Sequence, residues 1–308
     1  MKLEGVHHVT AITGDAPKNV DFYVRVLGLR LVKKSVNQDD PTVYHLFYGD
    51  DEGAPGNDIT FFEYPGARRG KAGAGMVHTV GWRVASSDAT DFWESRLADE
   101  GIAGQRYEDG AFAFRDPEGL RHALIPSESK DEPLTADHPE VPAEFALQGF
   151  DGVRAYASDP EQSRRFLEET LEFEPHGETG WEARGEQRGG LYLYDRSDER
   201  GVPGAGTVHH VAWASPQADE EAWQRRVAES GASPTPVIDR YYFKSVYFRE
   251  PSGVLFEIAT MGPGFTADEP LETLGERLSL PPNYEHLRDR LDDVLTPLPD
   301  PRALRSGK

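Results

Sequence analysis

A short strand-like phrase recurs four times along the chain, and no other feature narrows the fold as much. It stands at Val6-His7-His8-Val9, Val77-His78-Thr79-Val80, Asp151-Gly152-Val153-Arg154 and Val208-His209-His210-Val211. The equivalents of His8 are Thr79, Gly152 and His210, at spacings of 71, 73 and 58 residues. Such a period is too long for a solenoid and fits paired modules. Each phrase leads into a helix start with an N-cap side chain: Asp15-Ala16-Pro17, Ser87-Asp88-Ala89, Asp159-Pro160 and Ser215-Pro216. Helical spacing follows in Val20, Val24 and Leu27, and in the i,i+4 pairs Trp93/Leu97, Leu167/Leu171 and Trp223/Val227. Gly28, Gly101 and Gly231 fall where a helix C-cap is expected.

Strand-like runs come after each helix, among them Val43–Tyr48, Ile59–Tyr64, Ala111–Arg115, Leu191–Tyr194, Ser245–Arg249 and Val254–Ala259. Two turn phrases, Asp116-Pro117-Glu118-Gly119 and Glu250-Pro251-Ser252-Gly253, match and each precedes a last apolar strand. The unit is therefore βαβββ, and four of them make an α+β fold, paired into two halves with cupped mixed β-sheets. The stretch Pro126–Glu144, rich in Pro, Asp, Glu and Ser, reads as a linker. The expected divisions are an N-terminal pair of modules over 1–128, a linker over 129–147, a C-terminal pair over 148–265 and a tail over 266–308. Within the tail, Tyr284–Leu295 reads as one short helix, free or packed on the body.

Composition limits the chemistry. The chain has no cysteine, which excludes disulfides, thiolate metal sites and cysteine nucleophiles. Any metal must be held by His, Asp, Glu, Tyr or backbone oxygen. A net charge of −21 repels nucleic acid and anionic membranes. No apolar run is long enough to span a bilayer, and the first five residues carry no signal-like segment. The expectation is a soluble, cytoplasmic protein that binds neither nucleic acid nor membrane, with a homo-oligomer open as its assembled state. Lysine appears only eight times, so the acidic surface suits a high-salt, halophilic cytoplasm in which salt screens self-repulsion.

Only the first and fourth units place His at the third position of the phrase, and only the fourth ends on Leu255-Phe256-Glu257-Ile258. An acid inside an apolar strand needs a partner or a metal, because burying an unpaired charge is costly. Two imidazoles and one carboxylate suit a non-haem Fe(II) with open positions, although Zn(II) or Mn(II) can use the same ligands. Strict alternation turns His7 away from His8, and His209 away from His210, so one member of each pair binds.

The chain resembles the vicinal oxygen chelate superfamily of glyoxalases and extradiol dioxygenases, and within it the hydroquinone-type ring-cleaving dioxygenases. The likeness rests on 3–14 (LEGVHHVTAITG), 21–37 (DFYVRVLGLRLVKKSVN), 44–50 (YHLFYGD), 65–70 (PGARRG), 208–213 (VHHVAW), 239–253 (DRYYFKSVYFREPSG) and 255–260 (LFEIAT), and covers residues 3 to 285. It implies His8, His210 and Glu257 as metal ligands, with His7, Thr10, His209, Arg240 and Tyr247 around them. Taken alone, Arg240 reads as a surface ion pair and Tyr247 as a core aromatic. Glu63 stands roughly where glyoxalase-like relatives carry a fourth ligand; the plainer reading has it facing solvent. The implied reaction opens a para-diol aromatic with O2 on Fe(II), with Tyr247, His209 or His7 moving protons and Arg240 holding a developing oxyanion. The rivals are a catechol extradiol dioxygenase, a glyoxalase-type isomerase or thiol transferase, and a non-enzymatic protein that sequesters an aromatic drug.

Overall fold

The structure, a computed structural model, describes residues 1–305; the last three residues of the predicted tail, 306–308, lie outside it. The first module is β1 (Val6–Thr13), α1 (Ala16–Asp21) running on into a π-turn (Phe22–Val26), β2 (Arg30–Asn37), β3 (Asp40–Gly49) and β4 (Asp58–Glu63). The second is β5 (Met76–Val84), α2 (Ser87–Asp99), β6 (Gly104–Arg106), β7 (Phe112–Arg115) and β8 (Arg121–Pro126). The third is β9 (Phe150–Ala157), α3 (Glu161–Arg165) with a second π-turn (Phe166–Thr170), β10 (Glu174–Pro175), β11 (Gly180–Arg184) and β12 (Gly189–Arg196). The fourth is β13 (Val208–Ser215), α4 (Glu220–Glu229), β14 (Ile238–Asp239), β15 (Lys244–Arg249) and β16 (Leu255–Thr260). The expected βαβββ order holds in all four.

The helix punctuation follows the sequence with two shifts. Asp15 caps α1 through the Lys18 amide, but Ser86 rather than Ser87 caps α2. The fourth helix starts beyond a turn closed by the Asp219 amide on the Pro216 carbonyl, so Asp219 replaces Ser215 as its cap. Gly28, Gly101 and Gly231 take φ of 71°, 73° and 91°, the left-handed conformation that ends a helix. The i,i+4 residues on every helix are buried, and so are all five tryptophans. Each such aliphatic side chain withdrawn from water contributes about 1.5–3 kcal/mol.

The modules pair differently from the sequence halves. One eight-stranded sheet runs β14-β15-β16-β13-β1-β4-β3-β2, and the other β10-β11-β12-β9-β5-β8-β7-β6. Module one therefore shares a sheet with module four, and module two with module three, so neither 1–128 nor 148–265 is a sheet-forming pair. Within a module the opening strand lies parallel to the last one, which leaves its other edge free. That edge is closed by the antiparallel pairs β1–β13 and β5–β9.

The two matched turn phrases tie the sheets together. Asp116 Oδ1 accepts the amides of Glu118, Gly119 and Leu120, while its Oδ2 accepts the Tyr23 hydroxyl of module one at 3.1 Å. Glu250 closes its own turn on Ser252 and Val254 and accepts the Ser163 and Tyr194 hydroxyls of module three.

The linker is pinned rather than loose. Asp131 takes Arg83 and Arg184, each at 2.7 Å, and the Gly189 amide at 3.0 Å. Burial raises its pKa, but Arg184, the Gly189 N–H and Arg83 outweigh this and hold the carboxyl well below its usual value. Because the folded pKa lies below the unfolded one, this stabilisation is present above about pH 4 and is lost as pH falls through the folded pKa. Asp131→Asn is expected to cost about 1–3 kcal/mol at pH 7, since the buried Arg83 keeps only the Gly189 carbonyl at 2.8 Å and Asp151 at 3.8 Å. The same variant should lose less stability than the parent between pH 4 and 2, read by denaturant unfolding at each pH.

Candidate metal centre

Strands β1 and β13 cross antiparallel, with His8 opposite Ala212 and Thr10 opposite His210. This local two-fold brings the two histidines to one face of the sheet, and β16, parallel to β13, sets Glu257 beside Ala212 on the same face. His8 Nε2 lies 3.1 Å and His210 Nε2 2.9 Å from Glu257 Oε2, and the two nitrogens are 3.2 Å apart. All three residues are buried, and they are the group of His and acidic residues among the described residues whose ligand atoms converge in this way.

Alternation does not hold at the neighbours. The register slips between Val6 and His8 and again beside His210, so each strand carries a bulge at the first His of its pair. The bulges leave His7 and His209 beside their partners instead of turned away. His7 Nδ1 sits 3.0 Å from His8 Nδ1, and His209 Nδ1 sits 2.8 Å from His210 Nδ1.

These contacts fix tautomers. His7 Nε2–H donates to the Thr260 carbonyl at 3.2 Å, so the Nδ1 of a neutral His7 accepts from His8 Nδ1–H. His8 Nε2 is then a bare lone pair aimed at the centre. Burial first, and then His8, push His7 down to about 3, and burial with His210 brings His209 to about 4, so both are neutral at pH 7.

The arrangement fits a cation. Glu257 Oε1 accepts the Ser245 hydroxyl at 2.5 Å, while Oε2 is buried with no hydrogen-bond donor among the described residues. With His210 Nδ1–H donating to His209 Nδ1, as His8 donates to His7, His210 Nε2 is also a lone pair, and three lone pairs then converge on one point. Ligands at about 2.1 Å from one ion stand about 3.0 Å apart at right angles and about 3.4 Å apart in a tetrahedron. Edges of 2.9, 3.1 and 3.2 Å are close to those of one face of an octahedron.

A cleft opens over this face, walled by Phe47, Phe62 and Phe243 and by Asn37, Asp39, His45, Arg240 and Tyr247. The Tyr247 ring lies 5.6 Å from that of His210; burial and the nearby Glu257 keep its phenol protonated, well above the usual value. Arg240 lies over the Tyr247 ring at 5.5 Å and makes a two-pronged pair with Asp39 at 3.2 and 2.9 Å, spanning the cleft mouth. Burial opposes its charge, but Asp39 and Tyr247 hold the guanidinium firmly ionised.

Two sequence expectations move. Thr10 stands behind the cleft, its hydroxyl 2.8 Å from that of Thr60. Glu63 neither joins the centre nor faces solvent; it is 2% exposed and accepts the Ala16 amide at the start of α1. The register on β1 puts Thr60, not Glu63, opposite Thr10 and so at the place symmetric with Glu257. Asp39, His45, Thr60, Phe243 and Ser245 were not singled out in the sequence. Counting the strand register from Glu257 through the pseudo-two-fold would have found Thr60 and Ser245.

The second sheet repeats the bulge without the chemistry. His78 Nδ1 contacts the Thr79 hydroxyl at 2.9 Å, as His7 contacts His8. Gly152 stands where His210 would, and a Cβ there would lie 2.2 Å from the Leu191 carbonyl oxygen, so no side chain fits.

The family model described as Glyoxalase/Bleomycin resistance protein/Dioxygenase superfamily matches residues 5–124 and 149–258. The chain is 40% identical over 315 residues to "Putative ring-cleaving dioxygenase MhqA" of Bacillus subtilis (strain 168), covering 97% of this chain and 100% of that protein. It is 33% identical to a chlorohydroquinone/hydroquinone 1,2-dioxygenase of Sphingobium indicum, over 94% of this chain and 95% of that one. A crystal structure of a "putative dioxygenase" from Bacillus subtilis superposes with a TM-score of 0.92 at 40% identity, covering 97% and 98% of the two chains. The chain belongs to the glyoxalase/bleomycin resistance protein/dioxygenase superfamily.

Proposed function

We propose that the protein is an Fe(II)-dependent dioxygenase that opens the ring of a hydroquinone-type, para-diol aromatic with O2. The observation that carries this is the Nε2, Nε2, Oε2 triangle under an aromatic-walled cleft. His8, His210 and Glu257 would hold the iron, and an octahedral face favours Fe(II) or Mn(II) over tetrahedral Zn(II). Held there, the iron would supply Lewis acidity toward a substrate hydroxyl and a redox partner for O2.

The remaining work falls to the chain. Phe62 and Phe243 flank the ring and exclude water. Tyr247, protonated and beside His210, donates to oxygen as charge develops there. Arg240, braced by Asp39, stabilises that charge. His7 and His209 fix the ligand tautomers. Relatives named ring-cleaving and hydroquinone dioxygenases support the reaction class. A glyoxalase-type isomerase would draw a fourth ligand from the place where Thr60 offers only a hydroxyl already bonded to Thr10 and His45. The acidic, lysine-poor composition fits a cytoplasmic protein of a high-salt cell.

The test is anaerobic loading with Fe(II), then an oxygen electrode with hydroquinone, methylhydroquinone and catechol. Equimolar uptake with the hydroquinones, faster than with catechol, is expected; uptake with none of the three overturns the reading. Tyr247→Phe should lower kcat by roughly tenfold to a hundredfold at unchanged iron content. Unchanged turnover would remove Tyr247 from the mechanism.

A further inference from the structure

The two-fold between β1 and β13 extends across the sheet. It relates Glu257 on β16 to Thr60 on β4, and Ser245 on β15 to His45 on β3. Ser245 holds Glu257 Oε1, and in the symmetric place His45 Nε2 lies 2.9 Å from Thr60 Oγ1. Thr60 passes the contact on to Thr10 at 2.8 Å. An imidazole therefore replaces a serine on the side of the cup where no metal ligand stands.

The placement of that ring is specific. Its centroid lies 3.9 Å from Phe47 and 4.4 Å from Phe62, so aromatic neighbours fix its plane. Its Nε2 edge is taken by Thr60. Among the described residues its Nδ1 has no hydrogen-bond partner and is not a sealed-off polar atom, and the ring lines the cleft, so this edge opens into it. Thr60 Oγ1 can accept from His45 Nε2–H, and in that tautomer Nδ1 is an acceptor. Strand β3 lies two strands beyond β1, about 9–10 Å across the sheet. In register His45 stands opposite Phe62 and so level with Ile12, beyond His8 and Thr10, and it lines the same cleft as His8 and His210 from the side away from them.

We propose that His45 Nδ1 accepts a hydrogen bond from the distal hydroxyl of a para-diol and so selects para- over ortho-diols. This rests on the ring-cleaving reading of the same site. A catechol carries both oxygens at one end of its ring and leaves His45 unmet.

The test uses the iron-loaded full chain under anaerobic conditions, where substrate binds without turnover. Hydroquinone and 4-methoxyphenol, which lacks the second hydroxyl donor, are titrated into the wild type, His45→Phe, His45→Gln and Thr60→Val. The wild type should prefer hydroquinone by roughly tenfold. His45→Phe should erase that preference at unchanged iron content and unchanged 4-methoxyphenol affinity. His45→Gln, which keeps an acceptor, should retain part of it, and Thr60→Val, which frees the ring, should weaken it. The hydroquinone-to-catechol ratio of kcat/KM should fall in step. A preference that survives in folded His45→Phe, or in Thr60→Val should His45→Phe not fold, overturns the assignment. Failure of the wild type to consume O2 with hydroquinones would instead strike at the reaction class.

Discussion

Glu257→Gln is expected to strip the protein of iron and to lower O2 uptake with hydroquinone by at least about a thousandfold. The substitution changes charge and little else. Ser245 can still donate to the side-chain oxygen, and the buried volume is the same. A neutral amide in place of Oε2, however, removes the negative charge that touches both imidazoles. Iron content by metal analysis should fall below about a tenth of the parent value, and the thousandfold loss of uptake should exceed the tenfold to hundredfold loss expected for His7→Ala, which only orients a ligand. Retention of both iron and uptake would take the carboxylate out of the metal set.

The metal-free protein should respond in the opposite direction. Without a cation, Oε2 faces two imidazole lone pairs with no donor of its own. A glutamine amide turned inward supplies that donor. The thermal midpoint of the metal-free variant should therefore equal or exceed that of the metal-free parent, while iron should raise only the parent's midpoint. This pairing of lost binding with undiminished stability separates a ligand from a buried residue that merely fills space.

Much of this was legible in the chain because the repeat is written in residue types. Four opening phrases, the i,i+4 apolar pairs and the Gly C-caps mark four copies of one module, and Glu257 inside an apolar strand marks the one that differs. The partner of each module was not legible. Every opening strand has the same free edge, and only packing of the whole molecule decides that β1 meets β13 and β5 meets β9. His7 and His209 were misplaced for a local reason: a bulge consumes one residue and cancels the alternation from which their direction was inferred. His45 and Asp39 escaped notice because nothing local distinguishes a strand histidine or a turn aspartate. Their meaning comes from Thr60 and Arg240, the latter 201 residues away. Glu63 misled through its position at the end of a last strand, when the register that matters runs through Thr60.

Glu269→Leu is expected to destabilise the protein by about 2–4 kcal/mol, because the buried Lys33 ammonium loses its fully buried carboxylate and keeps only Asp268 as a charged partner. Lys33 lies on the edge strand β2, fully buried, under the segment that follows the last sheet strand. Its Nζ bonds Glu269 and Asp268, the latter at 2.8 Å, and the Phe265 carbonyl at 3.1 Å, and it sits 4.8 Å over the Tyr242 ring. The tail then follows the strand edge, with the Ser279 amide on the Lys34 carbonyl and the Tyr284 hydroxyl on the Gln38 carbonyl. The stretch read as one short helix is a pair of short turns, Pro282–Leu287 and Arg288–Leu291, packed on the body through Leu291 and Leu295. The tail thus covers an edge that would otherwise pair with other chains. It also braces the cleft, because Gln38 holds the Arg240 carbonyl and Asp39 holds its guanidinium. Loosening it should lower the thermal midpoint by roughly 5–15 °C and raise KM for hydroquinone more than it lowers kcat. The double variant Lys33→Met/Glu269→Leu removes both charges and should recover most of the lost stability, since an apolar pair of similar volume often equals a buried ion pair. If the double variant were as unstable as the single one, the loss would come from packing around Phe265 and Tyr242 and not from the charge on Lys33.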